Sequence, residues 1–176
     1  MLCRRRPQQL SYILRHHPHI ARDAHGFVDV STVIAALGIT EEELHQMVVT
    51  DSKQRYHLVA DRIRAVQGHS VQLHSPLVYP LTPHEIATIS PIHMTTPSAW
   101  ELIKADGLLR KMGRTHIHFA PATSPHLLRW KGNGLQKVRL CLNLQAAALH
   151  HNFFMAHNGV ILCEGPIPLC YFHVNT

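Results

Sequence analysis

The residues best suited to chemistry are arginines and imidazoles gathered near a glycine turn. The segment Ile63-Arg64-Ala65-Val66-Gln67-Gly68-His69-Ser70 sets an arginine in an apolar-bounded strand and ends on a glycine flanked by polar groups. Gly68 lets the backbone turn so that Gln67, His69 and Ser70 converge on one ligand, and convergent donors of that kind suit phosphate. Alternation with Ile63 and Ala65 reads Arg64 as outward-facing, where an arginine is most often a solvated edge residue. A second pair, Arg15 and His16, falls in the last turn of a helix whose apolar positions are Leu10, Ile13 and Leu14 and which Pro18 stops. There the helix C-terminus favours both cationic groups.

The chain holds 17 histidines, and His16-His17, His116-x-His118 and His150-His151 invite a metal reading. Histidine zinc sites want i, i+4 helical spacing or dispersed ligands with a carboxylate, and only 11 acidic residues are available, so no metal is expected. Cys3, Cys141, Cys163 and Cys170 form no Cys-x-x-Cys pair, which argues against a zinc knuckle or a disulfide framework. A formal charge of +6 favours phosphate-bearing partners: nucleic acid, dinucleotides or anionic membranes. No apolar run approaches the ~18 residues of a membrane span, and the opening Met1-Leu2-Cys3-Arg4-Arg5-Arg6-Pro7 lacks the apolar stretch of a secretory signal. A cytoplasmic monomer is the default expectation.

The elements that must position these groups follow from periodicity. After the first helix and a turn at His25-Gly26, Phe27-Val28-Asp29-Val30 reads as a short strand. Ser31 is an N-cap candidate for a helix carrying Val33, Ile34 and Leu37 that Gly38 ends. Thr40-Glu41-Glu42-Glu43 matches a capping box ahead of the stripe Leu44, Met47 and Val48. Tyr56–Val59 and Ile63–Val66 then make a hairpin, so three helices and a hairpin give the order of a winged-helix lobe over residues 1–75. Pro76, Pro80, Pro83 and Pro91 mark residues 76–91 as a linker over the surface. Residues 92–176 read mainly as strands (Ile89–Thr95, His116–Phe119, Val138–Leu144, Gly159–Leu162 and Ile167–Phe172) with one clear helix, capped by Thr96 or Ser98 and ended by Gly107. In His116-Ile117-His118-Phe119 both histidines face one side of a strand, and His93 ends an earlier one.

These segments, taken in order, resemble the NAD-dependent tRNA (RNA) 2′-phosphotransferases of the ADP-ribosyltransferase superfamily. The matching pieces are Leu10-Ser11-Tyr12-Ile13-Leu14-Arg15-His16 with Pro18, Gly26-Phe27-Val28-Asp29-Val30, Arg55-Tyr56, the Arg64-to-Ser70 segment, Arg114-Thr115-His116-Ile117-His118-Phe119 and Asn158-Gly159-Val160-Ile161-Leu162. The resemblance implies an α+β fold, with an N-terminal winged-helix lobe and a C-terminal ADP-ribosyltransferase-like β-sandwich lobe. It implies NAD, consumed as co-substrate, and an RNA partner bearing a 2′-phosphate, with tRNA the expected RNA. It assigns Arg15, His16 and Arg64 to the phosphate, and His93, Thr95, His118, Gly68, His69, Ser70, Asn158 and Val160 to cofactor binding. The implied reaction passes through an ADP-ribosylated RNA 2′-phosphate and releases nicotinamide and ADP-ribose 1″,2″-cyclic phosphate.

Two positions depart from the family pattern. Met94 stands where a glycine is usual in the first NAD motif, and its side chain threatens to crowd the nicotinamide pocket unless the strand turns it away. Gln136 stands where a fourth catalytic arginine is usual; an amide hydrogen-bonds a phosphate without neutralising it. Two rival readings are an ADP-ribosyltransferase acting on nucleic-acid phosphate ends or protein with an impaired second step, and a non-catalytic RNA-binding relative.

Overall fold

A computed structural model describes residues 6–70, 73, 78–124 and 137–175. The chain is a mixed α+β structure made of two compact units, Met1–Leu77 and Val78–Thr176.

The first unit runs α1 (Arg6–Arg15), β1 (Val28–Asp29), α2 (Val30–Leu37), α3 (Glu41–Val49), β2 (Tyr56–Val59) and β3 (Arg62–Ala65). The apolar stripe of α1 behaves as its spacing requires: Leu10, Ile13 and Leu14 are buried against Val33 of α2, Leu44 and Met47 of α3 and Ile63 of β3. Each large aliphatic side chain taken fully out of water here contributes about 1.5–3 kcal/mol. The capping box of α3 forms, with Thr40 Oγ1 accepting from the Glu43 amide at 3.2 Å and Glu43 Oε2 accepting from the Thr40 amide at 3.1 Å. Helix α2 instead starts at Val30, ahead of Ser31, and its N-cap residue Asp29 makes no side-chain cap bond.

The three strands pair antiparallel in the order β1-β3-β2, so the arginine strand is central. Arg64 does face away from Ile63 and Ala65, but it is no solvated edge residue, being only 6% exposed on the middle strand. The alternation holds, with Ile63 and Ala65 in the helical core. The opposite face is covered too, because the guanidinium lies 4.5 Å from the centre of the Phe27 ring.

The second unit runs β4 (Val78–Pro80), α4 (Pro83–Thr88), β5 (Pro91–Thr95), α5 (Pro97–Asp106), β6 (Leu108–Leu109), β7 (Ile117–Pro121), β8 (Val138–Leu142), α6 (Leu144–Ala147), β9 (Phe153–Ala156), β10 (Ile161–Cys163), β11 (Ile167–Pro168), a 3-10 turn (Leu169–Tyr171) and β12 (Phe172–Asn175). Seven strands form one sheet in the order β12-β8-β5-β7-β10-β9-β4, and β11 pairs with β6 as a separate ribbon. Phe119, Leu140, Ile161 and Ile167 anchor its core.

The proline-rich stretch 76–91 is a correction, since its described part holds regular structure. Pro83 occupies the first turn of α4, where its missing N–H costs no helical bond, and Thr82 with Glu85 closes a second capping box. Pro80 ends β4, which among the described residues lies at the sheet edge and pairs only with β9. The expected strand over 167–172 is likewise broken by the 3-10 turn, and β9, at Phe153–Ala156, was not legible as a separate strand.

Candidate active site

In the first unit, the C-terminus of α1, the turn before β1 and the segment after β3 meet. The amide and hydroxyl of Ser70 both donate to the Arg15 carbonyl, at 3.3 and 3.2 Å, tying the glycine turn to the end of α1. Gly68 has φ +88°, and a Cβ there would lie 3.5 Å from Arg15 Nε, so the turn packs directly against that guanidinium. Arg64 donates to the His25 carbonyl at 2.8 Å and rests on Phe27, which holds it in one orientation. The turn that presents His25 is knitted by Asp23, whose carboxylate accepts from the His25 and Phe27 amides at 2.9 and 2.8 Å. Gly26 closes it with φ +83°, and a Cβ there would sit 2.9 Å from Leu73 Cδ1 and 3.3 Å from His69 Nε2.

His69 is the buried centre of this cluster, 4% exposed. Burial, followed by the surrounding charges of Arg15, Arg22, His16 and Arg64, depresses its pKa to about 4, so it is neutral at physiological pH. The adjacent Arg15 and His16 and the sequence-distant Arg64 thus all act on this one ring. Arg22 joins them unannounced by any motif. Its guanidinium donates to the carbonyls of Ile13 (2.5 Å), Leu14 (2.9 Å), His17 (3.0 Å) and Ile20 (3.1 Å), capping the end of α1.

The second unit holds a cavity of about 690 Å³ whose lining includes His93, Thr95, His116, His118, Lys111 and Arg114. It opens where β5 and β7 part company: they pair only at Pro91 with Pro121 and Ile92 with Ala120. Beyond that point the His93 ring takes over, with Nδ1 3.0 Å from the His118 carbonyl. A carbonyl only accepts, so Nδ1 carries the proton. Burial lowers the pKa of His93, against the raising effect of that bond and with a smaller lowering by Arg114, leaving a neutral ring with Nε2 as acceptor. Arg114 reaches His118 Nδ1 at 3.4 Å. His116, also lowered chiefly by burial, bonds Thr115 Oγ1 at 2.9 Å.

The structure therefore places Arg15, His16, Arg64, Gly68, His69 and Ser70 together in the first unit, and His93, Thr95 and His118 together at the cavity of the second. Asn158 and Val160 lie in the turn joining β9 to β10, closed by the Ala156 amide on the Val160 carbonyl at 2.8 Å, and are not among the described residues lining the cavity. Gln136 lies outside the described residues. Met94 pairs with Arg139 of β8, and neither lines the cavity, because the pleat that turns His93 and Thr95 inward turns Met94 away. Among the described residues, no group of three or more His, Cys, Asp or Glu is placed to hold a metal ion. No described helix is long and apolar enough to cross a membrane.

The family model of the RNA 2′-phosphotransferase, Tpt1 / KptA family matches residues 5–165. A probable RNA 2′-phosphotransferase of Rhizobium rhizogenes is 33% identical over 168 residues, covering 88% of this chain and 85% of that protein. One of Burkholderia lata is 35% identical over 173 residues, covering 88% and 82% respectively. The tRNA 2′-phosphotransferase 1 of Danio rerio is 30% identical, covering 94% of this chain and 81% of the fish protein. With a match running through both units and all the histidine and arginine segments described above, this chain belongs to the RNA 2′-phosphotransferase, Tpt1 / KptA family.

Proposed function

We propose that this chain removes a 2′-phosphate from RNA, consuming NAD. The observation that carries the reading is the gathering of Arg15, His16 and Arg64 around the buried, neutral His69, in a chain whose relatives are RNA 2′-phosphotransferases. Two guanidinium forks bind phosphate oxygens in pairs, and burial strengthens each such bond. The three helices and antiparallel sheet of the first unit support a winged-helix reading, and the split sheet of the second supports an ADP-ribosyltransferase-like lobe.

NAD fits the cavity on two counts. Its volume of about 690 Å³ lies within the ~300–1,000 Å³ usual for such ligands. Its wall combines imidazoles with the cations Lys111 and Arg114, which suit a pyrophosphate. NAD supplies an electrophilic ribose carbon with a leaving nicotinamide.

In the first step an oxygen of the RNA 2′-phosphate attacks that carbon, and the bond to nicotinamide breaks, the bonding pair leaving with the base. No residue need deprotonate this nucleophile, since it is already an anion. In the second step the neighbouring ribose 2″-hydroxyl attacks phosphorus and the bond to the RNA 2′-oxygen breaks. Arg15 and Arg64 stabilise the charge growing on the phosphoryl oxygens, and His16 carries the proton from the attacking hydroxyl to the departing RNA oxygen.

Gln136, standing in for an arginine, slows that second step by about a hundredfold, the effect of losing one electrostatic stabiliser worth on the order of 3 kcal/mol. A single-turnover assay with 2′-phosphorylated RNA and NAD therefore accumulates ADP-ribosylated RNA before cyclic phosphate appears. Absence of any NAD-dependent phosphate loss refutes the activity. Fast release without an intermediate refutes the role given to Gln136.

A further inference from the structure

The exposed face of α1 carries a feature that the phosphate cluster does not use. Gln8, Tyr12 and His16 stand four residues apart and so share one helical face, which runs into the cationic end of the helix. The Tyr12 ring lies 6.1 Å from that of His16, tilted by 47°, and 5.8 Å from that of His17, nearly perpendicular at 76°. Tyr12 is 51% exposed, so about half of this side chain is open to solvent. Together Tyr12 and His17 form a corner, two aromatic planes at right angles, on the wall of a second cavity of about 470 Å³. Ile13 and Leu37 supply apolar surface to that cavity, and Gln8 and Gln9 supply amides that both donate and accept.

We infer that this corner is a nucleobase subsite, taking the unpaired base attached to the ribose that bears the 2′-phosphate. The inference rests on the proposed RNA activity and names which part of the RNA the first unit reads besides the phosphate. The base at C1′ and the phosphate at C2′ sit on adjacent carbons of one sugar, and Tyr12 lies one helical turn, about 5.4 Å, from His16. A phosphate held at Arg15 and His16 therefore brings its own base to Tyr12. A ring face open to solvent, backed by a perpendicular ring and bordered by amides, matches how proteins hold single-stranded bases: stacking that tolerates sequence, with amides at the base edge. A base still stacked in a duplex has no free face to offer, so the subsite selects unpaired RNA. The net charge of +6 complements the rest of the strand.

The test uses the full chain, without NAD, and a fluorescein-labelled RNA trinucleotide carrying one internal 2′-phosphate. It is made with either a normal base or an abasic site on the phosphorylated nucleotide, and binding is read by anisotropy. Removing the base weakens binding to the unmodified protein by about tenfold to a hundredfold, the usual effect of one lost aromatic stack. Tyr12→Ala weakens the normal oligonucleotide equally and the abasic one by less than about twofold, whereas Tyr12→Phe keeps the preference for a base. Thermal melting of each variant checks that the half-exposed position leaves the fold intact. Equal binding of the two oligonucleotides by the unmodified protein overturns the inference, as does a Tyr12→Ala variant that retains the base preference. If the base preference is found but adding NAD removes no phosphate, the subsite stands and the proposed reaction falls.

Discussion

Replacing His69 by glutamine tests the electrostatic centre of the first unit. An ordinary histidine titrates near 6.5, whereas burial and the nearby Arg15, Arg22, His16 and Arg64 hold His69 at about 4. The folded-state value is the depressed one, so above pH 6.5 the ring is neutral in both states and its titration adds nothing. As pH falls from 6.5 toward 4, the unfolded chain takes up a proton that the folded chain refuses, and stability is lost by as much as ~1.4 kcal/mol per pH unit. Over the whole window the loss is about 3 kcal/mol. Urea denaturation of the unmodified chain and of His69→Gln, at half-unit steps from pH 7.5 to 4, reads this directly. The unmodified chain loses about 3 kcal/mol more than the variant across that range, because every other histidine is common to both. Parallel pH profiles for the two proteins would falsify the placement of His69 as a buried neutral ring among cations.

Other substitutions probe the supports. Arg22→Ala removes four bonds to carbonyls at the end of α1, costs about 2 kcal/mol by urea denaturation and lowers Tm by on the order of 10 °C if the first unit melts alone. Gly26→Ala forces a Cβ into a left-handed backbone and against Leu73 and His69; it destabilises by about 1–3 kcal/mol, and an unchanged denaturation midpoint refutes the close packing. Gln136→Arg speeds cyclic-phosphate release about a hundredfold in single-turnover assays, with nicotinamide release little changed. Met94→Ala leaves the KM for NAD within about twofold, because the strand points this residue away from the cavity; a large drop in KM shows that Met94 crowds the site after all.

The amino-acid sequence by itself determined the local framework of this protein. The i, i+3, i+4 stripe of α1, the capping box of α3, the glycine ends of α2 and α5 and the alternation of β7 are short-range patterns, and each formed where its residues stand. The proline-rich stretch misled because the same residue that breaks a helix interior is favoured in a first turn and tolerated on a sheet edge; the Thr82–Glu85 capping box is a local pattern that places Pro83 in a first turn, whereas only pairing with β9 decided that Pro80 sits on an edge. Burial of Arg64 was equally hidden, since alternation tells which face a side chain takes and not whether something covers that face; Phe27 does, from a turn 37 positions earlier. Arg22 carried no signal, because four carbonyls at a helix end converge only once the chain has turned back on them. The cavity, too, belongs to tertiary structure: it exists because β5 and β7 stop pairing after two residues, and a ladder that ends early leaves no trace in either strand's own residues.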